Sequence, residues 1–213
     1  LGDGTGEDCL HLNIWSPAAD ARRRPVLVWV HGGAFTSGSG ALYGGAPLAA
    51  GGDIVVVTVN YRLGGLGFVD FGSALGDPTV GRNLGLQDVM AALGWVRRNV
   101  AQFGGDPARV TLAGESAGSI MISALMATDA ATLFDQAILQ SGAFNLIHTA
   151  ETGLTIARAW VEALRPRPQN LADLQALPAQ AFVEAEAAVA RAIPGASPAA
   201  PWFDGTVLPA SLA

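Results

Sequence analysis

Arg109-Val110-Thr111-Leu112-Ala113, running into Gly114-Glu115-Ser116-Ala117-Gly118, is the stretch on which the reading of this chain turns. The first five residues are β-branched and apolar, and read as a short buried strand. Beyond the turn, Ala117, Ile120, Met121, Ala124 and Leu125 form an apolar stripe at helical spacing. A serine flanked by glycines is thus predicted on a tight strand-to-helix turn. A Cβ two residues to either side of that serine would strike the neighbouring strand or helix, so glycine is required there. The turn lifts the hydroxyl out of the sheet, and the first N–H groups of the helix point at the same spot, where an oxyanion can be held. With 27 glycines and ten serines in 213 residues, G-x-S-x-G arises by chance roughly 0.2 times. The flanking strand and helix therefore carry the reading, not the pentapeptide.

The totals narrow the alternatives. Half the residues are apolar and 14% are charged, a composition for a buried core and not for disorder. A net charge of −6 disfavours nucleic acid or an anionic membrane as partner. Arg22-Arg23-Arg24, the one basic cluster, precedes a strand and reads as a solvated turn. The longest apolar run near the sheet, Ile54 to Val59, is far too short to span a bilayer. Cys9 is the single cysteine, so no intrachain disulfide forms, and it reads as a small buried core residue. No signal peptide opens the chain, and a start at Leu1 without methionine suggests that this end is not the start of translation. There is no H-E-x-x-H, the histidines are scattered, and Gly38-Ser39-Gly40 completes neither a G-x-G-x-x-G nor a P-loop. No metal and no cofactor are expected.

Along the chain, Leu10 to Trp15 alternates and ends at Ser16-Pro17, an early strand closed by a turn. Pro25 to Val30 and Asp53 to Val59 are continuous apolar strands, suited to the middle of a parallel sheet covered on both faces. Gly32 to Gly52 between them reads as a loop with at most a short helical turn. Leu86, Val89, Met90, Leu93, Val96, Val100 and Phe103 keep helical spacing over about five turns, stopped by Gly104-Gly105. Ala137 to Gly142 is one more strand. The order strand, helix, strand, helix, strand is that of a doubly wound α/β sheet. From Glu151 onward, Leu154, Ala157, Trp160, Val161 and Leu164 make a helical stripe. Asn170 caps a short helix through Leu177, and Pro178 starts another to about Arg191. These small helices excurse from the sheet, as a cap region would. Pro194 to Pro209 is loop-like, with Trp202 and Phe203 as apolar surface. Residues 1–150 are therefore read as the core and 151–213 as a helical, cap-like excursion and loop of the same domain.

His31-Gly32-Gly33-Ala34-Phe35 ends the strand Pro25 to Val30, where turns of this type supply N–H donors to an oxyanion hole. The stretch as a whole resembles the type B carboxylesterase and cholinesterase family. The resemblance is carried by Glu7-Asp8-Cys9-Leu10 with Leu12-Asn13-Ile14-Trp15, by Val28 to Phe35, by Asn60-Tyr61-Arg62-Leu63 and by Asn83-Leu84-Gly85-Leu86-Gln87-Asp88. It continues from Phe103-Gly104-Gly105-Asp106-Pro107 to Gly118 and in Leu139-Gln140-Ser141-Gly142, and returns thinly at Trp202 to Gly205 with Leu208-Pro209. It covers the first 145 residues or so densely, and its motifs are specific. It implies the α/β-hydrolase fold, a mostly parallel doubly wound sheet with helices on both faces. It also implies a serine esterase acting on a small-molecule carboxylic ester, with Ser116 as nucleophile. Gly33, Ala34 and Ala117 resemble the three oxyanion donors, with Ala34 where many relatives carry glycine; the donor is a backbone N–H, so the swap is expected to be tolerated. Glu115 resembles the family's buried acid beside the nucleophile. Arg62 and Asp88 resemble a structural ion pair, His31 a loop brace, and His11 a structural replacement for a tyrosine. Cys9 matches a cysteine that many secreted relatives pair with one further upstream; that partner is absent here, which points to a cytoplasmic relative.

A serine hydroxyl needs a base and a group that orients it, and in this fold both follow the serine in sequence. Downstream of Ser116 the only histidine is His148, too early in the sheet, and Asp129 and Asp135 sit in a helix-to-strand connection. The expectation is an incomplete chain that lacks the triad acid, the histidine and the C-terminal part of the sheet. An alternative is a non-catalytic adhesion member of the same family, although such members usually lose the serine itself.

Overall fold

The computed structural model describes residues 6–142 and 146–211; Leu1, where the chain begins, lies outside them. Five strands form one sheet: β1 (Leu12–Trp15), β2 (Arg24–Val30), β3 (Val55–Val59), β4 (Gly105–Glu115) and β5 (Gln136–Gln140), in the order β1-β3-β2-β4-β5. Only β1 runs antiparallel to its neighbour; β2–β3, β2–β4 and β4–β5 are parallel. Val26, Val28 and Val30 of β2, all of β3, and Val110 and Leu112 of β4 are buried. These β-branched runs form a sheet because both neighbours of each central strand offer ladder partners and apolar side chains.

The long helix α4 (Leu84–Asn99) and the elbow helix α5 (Ala117–Leu125) complete the main core with Leu86, Val89, Leu93, Met121, Ile122 and Leu125. The connection β2→β3 runs in the opposite direction across the sheet from β3→β4 and β4→β5. Right-handed crossovers then put α4 and α5 on one face and α1 (Ala46–Gly52) on the other. The two faces are unequal for that reason. Leu27 and Trp29 of β2 are only half-buried, and Trp29 is met by Tyr43 at 5.3 Å between ring centroids.

Several expectations change. The loop between β2 and β3 holds a 3-10 turn at Gly40–Leu42 and the seven-residue α1, with Pro47 in its first turn. Two short helices, α2 (Gly64–Phe68) and α3 (Phe71–Leu75), follow β3 unannounced. The five-turn helix is α4 followed by a 3-10 turn at Val100–Phe103. Arg24 is not solvated: it is 4% exposed and bonded to Asp20 and Asp53 at 2.5 and 2.6 Å. Cys9 is half-buried, not core, and its thiol is pushed above its ordinary range, chiefly by burial. Arg62 and Asp88 do form an ion pair, at 2.7 Å.

A second apolar cluster is built by α6 (Ala150–Ala163), α7 (Leu171–Gln175) and α8 (Ala179–Ala192) around fully buried Trp160, with Phe71 and Phe182 edge-on or tilted to its ring. Trp202 is buried rather than surface-lining. Its backbone is clamped by Asn83, whose side chain donates to the Trp202 carbonyl at 2.8 Å and accepts from its N–H at 3.1 Å.

Candidate active site

The elbow is built by contacts that only glycine allows. Ser116 has φ 53° and ψ −119°, a strained setting for a residue with a side chain. Two hydrogen bonds hold it there: its N–H donates to the Gln140 carbonyl at 2.9 Å, and its carbonyl accepts from Ile120 at 3.0 Å. A Cβ on Gly118 would overlap the Val30 carbonyl oxygen, and one on Gly114 would stand 2.8 Å from the Gly118 carbonyl carbon. The end of β2 and the start of α5 therefore touch backbone to backbone. This presses the strand carrying the His31 loop against the serine.

The loop that follows His31 is fixed carbonyl by carbonyl. A peptide unit is planar and trans, so pinning its C=O aims its N–H the other way. The His31 carbonyl accepts from the Tyr61 hydroxyl at 2.8 Å, and the imidazole of His31 stacks on the Tyr61 ring at 4.4 Å. His31 Nδ1–H donates to the Gly32 carbonyl at 2.8 Å, which fixes the N–H of Gly33. Gly33's carbonyl accepts from the N–H groups of Thr36 and Ser37, both at 3.0 Å, and from the Ser37 hydroxyl at 3.1 Å, which fixes the N–H of Ala34. The Ser116 carbonyl, held by Ile120, does the same for Ala117. Among the described residues, no acceptor within the chain takes the N–H of Gly33, Ala34 or Ala117. Ala34 and Phe35 both lie at positive φ, 54° and 66°. The third glycine's freedom is thus used here by residues with a Cβ, at a conformational cost of about 1 kcal/mol each.

The loop and the elbow abut. A Cβ on Gly32 would stand 2.7 Å from Glu115 Oε2 and 3.2 Å from Ser116 Cβ. The structure therefore brings together Gly33, Ala34, Glu115, Ser116 and Ala117. Glu115 is half-buried rather than buried, with its carboxylate against Gly32. Ser116 is half-buried, open enough to be reached.

The other candidates lie elsewhere. His31 is 1% exposed, and burial holds its imidazole below the ordinary histidine range, as befits a neutral brace. His11 meets the Asp8 carbonyl at 2.9 Å. His148 faces the Ser197 carbonyl at 3.2 Å, its backbone bridging to residues 201 to 203, and burial again lowers its pKa. Asp135 accepts from the Val110 N–H at 2.8 Å, so it sits just before β5, beside the middle of β4. Glu115 is five residues beyond Val110 along β4, about 17 Å away at strand rise. Asp129 opens a 3-10 turn. Among the described residues no histidine or aspartate is hydrogen-bonded to Ser116. Among the described residues no group of histidine, cysteine, aspartate or glutamate could hold a metal, and no helix is long and apolar enough to cross a membrane.

The carboxylesterase family model matches residues 2–212. The chain belongs to that family. It is 44% identical over 185 residues to the para-nitrobenzyl esterase of Bacillus subtilis (strain 168), an alignment covering 84% of this chain and 37% of that protein. Against human carboxylesterase 3 it is 53% identical over 139 residues, 64% of this chain and 24% of that protein. Among solved structures, the Geobacillus stearothermophilus carboxylesterase EST55 superposes with a TM-score of 0.86 at 42% identity, over 95% of this chain and 42% of that one. The chain thus spans well under half the length of these carboxylesterases. The α/β-hydrolase architecture expected from the sequence is the architecture found.

Sequence reading missed the parts that brace the loop. Tyr61 stood in a quoted motif, Asn60-Tyr61-Arg62-Leu63, without a role. Its 2% exposure, and its hydroxyl held far above the ordinary tyrosine range by burial, mark it as a structural donor. Thr36 and Ser37 carried no signal beyond lying in a glycine-rich turn.

Proposed function

We propose that this chain supplies the nucleophile and the oxyanion donors of a serine carboxylic ester hydrolase acting on small-molecule esters. Ser116 Oγ attacks the ester carbonyl carbon while its proton passes to a base. The charge that builds on the carbonyl oxygen is met by the N–H groups of Gly33, Ala34 and Ala117. Collapse of the tetrahedral intermediate breaks the C–O bond, expels the alcohol and leaves the acyl group on Ser116. Water, held beside the elbow by Glu115, then releases the acid. The base and its orienting carboxylate are not among the described residues gathered at Ser116, so the cycle needs a histidine and an acid that the described residues do not bring to it. In this reading residues 1–150 form the catalytic core and α6 to α8 a cap-like unit beside it. The unpaired Cys9 favours a cytoplasmic setting.

The observation that supports this reading is that the carbonyls of Gly32, Gly33 and Ser116 are all engaged, while the N–H groups of Gly33, Ala34 and Ala117 are not, in a loop and an elbow that abut at a strained serine. The relatives named as para-nitrobenzyl esterase and carboxylesterase 3 support the reaction class. The test is p-nitrophenyl butyrate turnover by the full-length protein and by its Ser116→Ala variant. Loss of about 10⁴-fold or more in kcat is expected; retention of turnover in the variant contradicts the proposal. The 213-residue chain alone should keep at most the ~10³–10⁴-fold acceleration over water that binding and an oxyanion hole provide.

A further inference from the structure

The loop at 31–37 is anchored at one point from outside itself. The Phe35 carbonyl accepts from the Gly64 N–H at 2.7 Å. Gly64 is the first residue of α2, so its N–H is one of those a helix cannot use internally. Gly64 is buried and Phe35 is 3% exposed, so water competes little for this bond. The position of α2 is set in turn by the aromatic cluster of α6 and α8. A Cβ on Gly65 would stand 3.0 Å from Trp160 Cζ3 and 3.1 Å from Phe182 Cδ1, so α2 lies directly on those rings. Gly64 itself holds φ 55°, in the left-handed region where a β-branched residue is most strained.

Planar trans peptides turn this one bond into a relay. The Phe35 carbonyl shares its plane with the Thr36 N–H, which therefore points the opposite way and donates to the Gly33 carbonyl at 3.0 Å. That carbonyl shares its plane with the Ala34 N–H, for which no described residue is an acceptor. The N–H groups of Gly64, Thr36 and Ala34 thus lie head to tail, and the last is open-ended. Amides in such a chain polarise one another, so the relay strengthens the Ala34 donor as well as aiming it. Ser37 holds the Gly33 carbonyl independently, by its N–H at 3.0 Å and its hydroxyl at 3.1 Å. The Ala34 plane therefore has one support from α2 and another from within the loop.

We infer that Gly64 is a positioning residue for the reaction: its N–H, acting through the Phe35–Thr36 and Gly33–Ala34 peptide planes, orients and strengthens the Ala34 donor. This rests on the esterase reading above. When the relay fails the donor is misaimed rather than deleted, so the loss should fall below the ~10²–10³-fold seen when an oxyanion donor is removed.

The test uses the full-length protein and p-nitrophenyl butyrate. Gly64→Val strains the backbone that carries the relay; its Cβ meets, among the described residues, only Glu186 Oε2 at 3.1 Å, the end of a flexible side chain. It should lower kcat about tenfold with KM within about twofold, the pattern of an interaction felt in the transition state. Gly64→Asn, which tolerates the left-handed region, should keep kcat within about threefold of the unsubstituted protein. Gly76 has a similar backbone setting, φ 70°, with nothing within 4 Å of an added Cβ. Gly76→Val should therefore lower the urea midpoint while leaving kcat within about twofold. Ser37→Ala should cost about threefold alone. Combined with Gly64→Val it should lose more than the product of the single losses, because both supports of one carbonyl are then gone. An unchanged kcat in folded Gly64→Val overturns the inference. So does an equal loss in Gly76→Val, an Asn variant as impaired as the Val variant, or a double variant whose losses merely multiply. If Gly64→Val fails to fold, Gly64→Ala takes its place beside Ser37→Ala and the same comparison decides. If Ser116→Ala keeps its turnover, the esterase reading itself has failed, an outcome distinct from all of these.

Discussion

The elbow at 114–118 and the loop at 31–37 are both tight, glycine-rich turns at the C-terminal ends of neighbouring parallel strands, but they are held by different physics. The elbow is fixed by contact: Gly114 and Gly118 exist so that β2, β4 and α5 can touch backbone to backbone. The loop is fixed by hydrogen bonds to successive carbonyls from Tyr61, His31, Thr36 and Ser37, while two of its strained positions are not glycine at all. The difference teaches that one turn resists change by sterics and the other by polar satisfaction. Substitutions should separate them.

The largest effect is expected at the elbow. Gly118→Ala puts a methyl group into the Val30 carbonyl and should cost about 3 kcal/mol or more, read as a drop in urea midpoint or loss of folded protein. Should the variant fold normally, the close contact that defines the elbow is wrong. Next comes the loop brace: Tyr61→Phe leaves the buried His31 carbonyl without its donor and should cost about 1–2 kcal/mol. Esterase activity should fall with it, because the loop loses its anchor while the elbow stays intact.

A pH dependence follows from the same burial. His31 and His148 both titrate below their ordinary value of 6.5 because burial disfavours their charged forms. Above that pH both folded and unfolded chains are neutral at these sites. As pH falls through 6.5 the unfolded chain takes up protons that the folded chain refuses, so stability declines toward pH 5. Urea midpoints measured across pH 5 to 8 should show this slope, and His148→Asn should flatten part of it. The smallest effect is expected for Ala34→Gly. Relief of the positive φ is largely offset by greater freedom of the unfolded chain, so the stability change should stay within about 1 kcal/mol and kcat within about twofold. A large loss of kcat would show that the Ala34 methyl does more than tolerate its setting.

This contrast also explains what could be read in advance. Strands β2 and β3 and helices α4 and α5 are written as apolar periodicity, and the elbow's glycines imply their own contacts. The loop's donors could be placed by motif, but not the groups that aim them, because Tyr61 and Thr36 act across 30 residues of chain or through a backbone bond that no pattern marks. Helix α2 was missed for a related reason. Gly64-Gly65-Leu66-Gly67 has poor intrinsic helix propensity, and it is helical where its first two glycines let α8 and Trp160 approach. Arg24 looked like a solvated charge because its partners Asp20 and Asp53 meet it only in the folded chain.

The most direct measurement is the structure of the full-length protein phosphonylated at Ser116 by a fluorophosphonate. The account predicts a phosphoryl oxygen within hydrogen-bonding distance of the Gly33, Ala34 and Ala117 nitrogens together. An oxygen pointing away from them, or bonded to side chains instead, would contradict it.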